Sequence, residues 1–239
     1  MPEQKIHNMD CRAGVMMLEP KSIHCAILDP PYGVDFVSRR AVTPGGKKWA
    51  EKIANDGDLD TALELFDEVM ELILDEGGCA ADEFECYVFT RWDIVGAWIE
   101  AVNKLSRFGL KYKMMLIWDK GIPGQGDIDA NWGCGHEIIL YCKRGRKKLP
   151  YRRSGIIAVD KLGPKQHIHP TEKPVQLIEV LLGMSVREGE SVLDPFAGSG
   201  VTLAAARRLG LEATGFELST TFYERIQERL SQGSLMDLL

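Results

Sequence analysis

Apolar positions along the chain follow two patterns. Short apolar runs over residues 23–28, 85–90, 112–118, 138–142, 191–193 and 211–216 read as strands buried in a sheet. Between them, apolar residues recur every three or four positions. Leu59, Ala62, Leu63, Phe66, Val69, Met70, Ile73 and Leu74 predict a helix that Gly77-Gly78 stops. Further helices are predicted over 94–105 (closed near Gly109), 175–185 (with Pro174 suited to the first turn), 201–209 and about 219–230. A short strand over 4–8 ends near Asp10, and 13–18 makes a helical turn or two. Residues 33–57 form a long loop punctuated by Pro44-Gly45-Gly46 and Asn55-Asp56-Gly57. A second, glycine-rich loop with Pro123 spans 121–135. A loop as long as the first is usually functional or disordered. There is no internal repeat and no low-complexity segment. Strands alternating with helices predict an α/β fold with a doubly wound, mostly parallel sheet.

Asp29-Pro30-Pro31-Tyr32 leaves the strand 23–28 at its carboxyl end, where open α/β sheets place their ligands. The two prolines stiffen the backbone and remove two N–H donors. The carbonyls of Asp29 and Pro30 stay available to accept from a substrate. Asp29 adds a carboxylate acceptor and Tyr32 a flat aromatic face. This set suits a planar group that carries an amine: the amine donates to the acid and the carbonyl, and the ring stacks on the tyrosine.

A second constellation follows the strand 191–193: Asp194-Pro195-Phe196-Ala197-Gly198-Ser199-Gly200, a helix, a strand, then Glu217. Strand, glycine turn, helix, strand and acid make the layout of a nucleoside-binding unit. Glycines let the backbone approach a ligand, and the helix start presents free N–H groups. Glu217 ends the next strand 17 residues after Gly200, placed to grip two ribose hydroxyls. The full G-x-G-x-x-G of a dinucleotide site is missing, because Leu203 stands where the third glycine belongs, and there is no G-K-[ST] of a P-loop. Asp194 beside the turn repels phosphate but suits an ammonium or sulfonium. S-adenosylmethionine fits, with a ribose, no phosphates, an amine and a positive sulfur.

Composition narrows the class. The 239 residues suffice for one α/β unit, and 45% hydrophobic content supports a core. No apolar run approaches the roughly 18 residues of a membrane helix, and Met1-Pro2-Glu3-Gln4-Lys5 lacks the layout of a signal peptide. The six cysteines include no C-x-x-C pair, so neither a zinc site nor a disulfide framework is indicated; a cytoplasmic protein with reduced core thiols is expected. His167 and His169, with no third ligand in view, read as loop polar groups, so no metal is expected. The net charge of −6 argues against nucleic acid, but its distribution does not. Lys143, Arg144, Arg146, Lys147, Lys148, Arg152 and Arg153 form a basic run, while acids concentrate between Asp56 and Glu85.

Taken together, these motifs resemble those of the amino-methyltransferases of DNA, which methylate adenine N6 or cytosine N4. Asp29-Pro30-Pro31-Tyr32 is similar to their catalytic motif, and Asp194 to Gly200 to their S-adenosylmethionine motif. The catalytic motif comes about 165 residues before the cofactor motif, which is similar to the order in the permuted β group. His169-Pro170-Thr171-Glu172-Lys173-Pro174 resembles the segment that starts the cofactor half in that group, and His136-Glu137 begins a stretch that looks like its last-strand motif.

The resemblance implies a circularly permuted, Rossmann-like sheet of seven strands, one of them antiparallel, flanked by helices. It implies one methyltransferase domain over 1–239: a catalytic half (1–142), a short basic DNA-contact segment (143–168) and a cofactor half (169–239). Carried over residue by residue, Asp29, Asp194, Phe196, Ala197, Gly198, Ser199 and Gly200 border the methionine part of the cofactor. Glu217 and Leu218 flank the ribose, Asp10 and Cys11 reach the cofactor adenine, and Thr171 and Lys173 lie beside the methionine carboxylate. Hydrogen bonds from the target amine to Asp29 and to the Pro30 carbonyl would aim its lone pair at the methyl group, and positioning of this kind contributes on the order of 7–11 kcal/mol.

The base must leave the double helix to reach the pocket. Tyr32 would stack on it, with Phe36 as a second wall. Arg39, Arg40 and the basic run from Lys143 to Arg153 would hold phosphates. An aspartate at the first motif position favours adenine N6; cytosine N4 is the nearest rival. RNA or protein methylation, a non-catalytic nucleic-acid-binding module and a nicotinamide oxidoreductase are more distant alternatives. Double-stranded DNA is the implied partner. A homodimer and a cognate restriction endonuclease fit the resemblance, while the residues specify neither.

Overall fold

In the computed structural model, residues 2–31, 58–122, 132–161 and 172–236 are described. Tyr32, Phe36, Arg39, Arg40, His167, His169 and Thr171 lie outside them, as does most of each predicted loop. The strands are β1 (Gln4–Asn8), β2 (Ile23–Leu28), β3 (Ala80–Thr90), β4 (Lys111–Asp119), β5 (His136–Arg144), β6 (Ile156–Ala158), β7 (Ser191–Asp194) and β8 (Glu212–Glu217). They form one sheet in the order β1-β8-β7-β2-β3-β5-β4-β6. All pairings are parallel except those of β5, which runs against β3 and β4.

The sheet thus has eight strands where seven were expected. The extra one, β6, extends the sheet beyond β4 through the pairs Ile117↔Ile156, Trp118↔Ile157 and Asp119↔Ala158. Trp118 fixes it by donating its indole N–H to the Val159 carbonyl at 2.8 Å, and Ile157 is buried against the same face. β3 also begins five residues earlier than its apolar run, because Asp82 and Glu83 interrupt the pattern at the end of the strand where they meet solvent.

The continuous apolar runs are explained by burial on both faces. Along β2, Ala26 and Leu28 point to one core, and Cys25 and Ile27 to the other. β3 repeats the alternation, with Phe84, Cys86 and Val88 on the first face and Tyr87 and Phe89 on the second. α1 (Cys11–Val15), α2 (Leu59–Leu74) and α3 (Val95–Lys104) cover the first face. α4 (Val175–Ser185), α5 (Val201–Arg208) and α6 (Thr220–Met236) cover the second. The apolar stripe of α2 buries Ala62, Phe66, Val69, Met70 and Ile73, and Phe66 meets Trp98 of α3 edge-on at 5.2 Å. Asp58 caps α2 by accepting from the Thr61 N–H at 2.8 Å. Cys25, Cys79, Cys86 and Cys142 are buried, and among the described residues no helix is long and apolar enough to cross a membrane.

Candidate active site

The parallel strands bring the sequence motifs to a single edge of the sheet, the one formed by their carboxyl ends. Asn8 of β1 pairs with Glu217 of β8, Asp194 of β7 with Gly215, and Leu28 of β2 with Val88 of β3. Because β5 is antiparallel, its start lies at this same edge: Thr90 pairs with Ile138, and Glu137 with Trp118. Across the edge the chain therefore presents Asp10, Glu217, Asp194, Asp29, Glu137 and Lys120 in turn. This is the crevice position at which open α/β sheets hold ligands.

The glycine turn is built on hydrogen bonds. Asp194 accepts from the Phe196 N–H at 3.0 Å, the Ala197 N–H donates to the Phe216 carbonyl at 3.0 Å, and the Gly200 N–H donates to the Ala197 carbonyl at 2.7 Å. The two glycines do different jobs. At Gly200, φ is +72° and an added Cβ would sit 2.7 Å from Ile226 of α6, so this glycine is required by packing. At Gly198, φ is +50° and an added Cβ would meet only the Phe196 carbonyl oxygen at 3.7 Å, so this is where the backbone is open to a ligand. Glu217 spans the mouth of the turn, accepting from the Gly198 N–H and the Ser219 N–H, each at 2.8 Å. Leu218 beside it is exposed, Ala197 and Ser199 are buried, and Phe196 is half-buried. Burial pushes the Asp194 carboxyl up to about 7.

Asp10 is the N-cap of α1, accepting from the Arg12 N–H at 2.8 Å. The Arg12 guanidinium grips both its oxygens and holds its carboxyl below the usual range. Met9 donates to the Glu217 carbonyl at 3.1 Å, which sets Asp10 and Cys11 next to the acid at the end of β8. Burial and, secondarily, Asp10 push the Cys11 thiol up to about 12, which keeps it in the unreactive thiol form.

Asp29 does not stand alone. Lys173, buried at 4% exposure just before α4, places its ammonium 2.6 Å from Asp29 Oδ2 and 3.5 Å from Glu137 Oε2. Lys120 closes on Glu137 Oε1 at 2.6 Å. Lys173 is steered there by its neighbours. Glu172, also buried, accepts from Arg229 of α6 at 2.6 Å, and Arg229 also donates to the Ser199 carbonyl at 3.0 Å. Burial alone would lower the Lys173 pKa, but Asp29 and Glu137 outweigh it and raise it. Burial would likewise raise Glu137, but Lys173 and Lys120 outweigh it and hold it down. The sequence motifs point to Lys173 and give no sign of Lys120; Glu137 appears in them only as part of a resemblance.

The basic run separates into two groups. Lys143 pairs with the fully buried Glu85 at 2.9 Å. Arg144 donates to the carbonyls of Leu74 (2.9 Å), Ala80 (2.6 Å) and Ala81 (2.8 Å). The buried Lys147 holds Glu190 and the Ser185 carbonyl. These three lie toward the amino end of β3, at the edge opposite Asp29, and their cationic groups are consumed by internal partners. They do not form the expected DNA-contacting patch. A segment leaving an edge strand has to neutralise buried acids and orphan carbonyls, and these residues do so. Arg146, Lys148, Arg152 and Arg153 are exposed, and the last two lie just ahead of β6, which runs toward the Asp29 edge.

A family model described as DNA methylase, of the N6/N4 class, matches residues 23–228, and the chain belongs to that family. It is similar to the type II methyltransferase M1.MboII of Moraxella bovis, at 23% identity over 278 residues, covering 95% of this chain and 96% of that protein. The crystal structure of an M1.HpyAVI–SAM complex superposes with a TM-score of 0.68 at 18% identity, covering 95% of this chain and 99% of that one. PvuII DNA methyltransferase, cytosine-N4-specific, superposes with a TM-score of 0.70 at 12% identity, covering 95% and 86%. The chain is thus a DNA methyltransferase of the N6/N4 family with the Rossmann-like fold of such enzymes.

Proposed function

We propose that the protein methylates the exocyclic N6 amine of an adenine flipped out of duplex DNA, with S-adenosylmethionine as methyl donor. The observation that carries this reading is Asp29 at the carboxyl end of β2, directly beside β7 and its glycine turn. The catalytic strand precedes the cofactor strands in sequence yet adjoins them in space, which supports the permuted β-group order. The single catalytic-to-cofactor sheet supports one methyltransferase unit over 1–239.

The turn fits the cofactor. Gly198 leaves room for a ligand against the backbone, Glu217 and Leu218 flank that opening, and the acids Asp194 and Glu217 beside it favour a cation over a phosphate. Asp194, Phe196, Ala197, Ser199 and Gly200 shape the turn around it, and Asp10 and Cys11 extend the wall toward its adenine. When bound, the cofactor supplies a methyl group on positively charged sulfur. That M1.HpyAVI was solved with SAM supports the same choice.

In this reading the Asp29 carboxylate and the Pro30 carbonyl accept from the target amine and orient its lone pair, while Pro31 stiffens the turn and Tyr32 stacks on the base. Phe36, Arg39 and Arg40 meet the DNA, with Arg146, Lys148, Arg152 and Arg153 as phosphate contacts. Aspartate at the first motif position supports adenine. Cytosine N4 is the second reading, favoured by the fold shared with the cytosine-N4-specific PvuII enzyme. A second copy of the chain and a restriction endonuclease are the candidate protein partners.

Asp29→Ala tests the assignment. Methyl transfer is expected to be abolished, while cofactor affinity, measured by calorimetry, stays within a few-fold of the unmodified enzyme. Normal transfer by that variant would overturn the mechanism.

A further inference from the structure

Lys173 is a buried cation shared unequally between two carboxylates. Its ammonium is 2.6 Å from Asp29 Oδ2 and 3.5 Å from Glu137 Oε2. That Glu137 oxygen is itself buried and has no hydrogen-bond partner among the described residues, while its twin Oε1 is held by Lys120 at 2.6 Å. The Phe89 ring lies 5.0 Å from the Lys173 ammonium. A buried charge must keep a partner, because stripping it of both water and counter-ion is expensive. Glu137 Oε2 is such a partner held in reserve. The movement that would close the second pair is about 1 Å, the difference between 3.5 and 2.6 Å.

Resting on the reading of Asp29 as acceptor of the target amine, we propose that Glu137 is a positioning residue for methyl transfer. It receives the Lys173 ammonium from Asp29 as the amine docks. The four charges alternate in sign along the edge, Lys120, Glu137, Lys173 and Asp29. Lys120 anchors Glu137 from the far side, so the carboxylate does not follow Lys173. Lys173 then slides between two fixed acids, and the site stays electrically balanced whether or not the amine is bound. Without Glu137, the amine would compete with the Lys173 ammonium for Asp29.

The test is a double-mutant cycle read by single-turnover methyl transfer into duplex DNA, with cofactor affinity by calorimetry and thermal unfolding measured alongside. Glu137→Gln keeps the shape and removes the charge. Its transfer rate is expected to fall at least about tenfold, toward the ~100-fold that a misplacement of about 1 Å can cost, with cofactor affinity unchanged. In a Lys173→Met background the same change is expected to cost nothing further, because there is no ammonium left to relocate. Glu137→Asp, which keeps the charge and the Lys120 pair, is expected to recover part of the rate. It also serves as the probe if the glutamine variant does not fold.

A Glu137→Gln rate within twofold of the unmodified enzyme would overturn the inference. So would equal losses in both backgrounds, since a purely structural role is additive. Failure of the unmodified enzyme to methylate either adenine or cytosine would instead remove the reading on which the inference stands, and the inference with it.

Discussion

Asp194→Asn is the substitution whose consequence follows most directly from burial. The carboxyl sits at the end of β7 at 4% exposure, and burial raises it from an ordinary 3.8 to about 7. The folded state therefore binds a proton more tightly than the unfolded chain between those two values. For a raised carboxyl, stability is fully present below pH 3.8 and is lost as pH rises through 7. The full span is worth roughly 4 kcal/mol, at about 1.4 kcal/mol per pH unit. Between about pH 5 and pH 8 the part lost is roughly 2–3 kcal/mol.

Asparagine has nearly the same shape and can still accept from the Phe196 N–H, but it does not titrate. The assay is urea unfolding of both proteins at about pH 5 and pH 8. The unmodified protein is expected to lose roughly 2–3 kcal/mol more than the variant over that interval. Parallel pH dependence in the two proteins would refute the claim that burial raises the Asp194 carboxyl. The same group predicts cofactor behaviour. A positively charged ligand beside the carboxyl favours its ionised form, so affinity should rise with pH up to about 7 and be flat in the asparagine variant.

Other consequences separate packing from DNA binding. Gly200→Ala combines a left-handed backbone with a Cβ 2.7 Å from Ile226, and calorimetry should show a loss of roughly 2–4 kcal/mol. Arg144→Met leaves the carbonyls of Leu74, Ala80 and Ala81 without their donor. It should destabilise the protein by roughly 2–4 kcal/mol and leave the salt dependence of DNA binding unaltered. Arg152→Ala with Arg153→Ala should do the reverse, keeping stability and lowering the slope of log affinity against log salt by about 0.9 for each phosphate no longer neutralised.

Much of this architecture is legible in the residues alone. Continuous apolar runs identify β2, β5, β7 and β8 because a strand buried on both faces has no polar alternation to confuse with a helix. The helix 175–185 matches residue for residue, since Pro174 starts it and Val175, Leu177, Ile178, Leu181 and Leu182 recur at helical spacing along it. The two motif turns are legible because their chemistry is local, an acid and prolines in one, two left-handed glycines in the other. What escapes a reading of the residues is non-local. β6 sits in a short apolar run, Ile156 to Val159, too brief to be told apart from a loop until β4 offers it an edge. The basic run looks like a surface because sequence shows charge but not direction. Glu85, Glu190 and the carbonyl of Leu74 at the end of α2, which turn Lys143, Lys147 and Arg144 inward, lie 43 to 70 positions away. The pairing of Lys173 with Asp29 spans 144 positions and joins two motifs that each look self-sufficient.

The central claim is tested by incubating the enzyme with methyl-labelled S-adenosylmethionine and unmethylated duplex DNA, then digesting the DNA and identifying the labelled nucleoside by mass. Label is expected in N6-methyladenine. Label in N4-methylcytosine would contradict the choice of base, and no label in DNA from a folded, cofactor-binding protein would contradict the proposed activity itself.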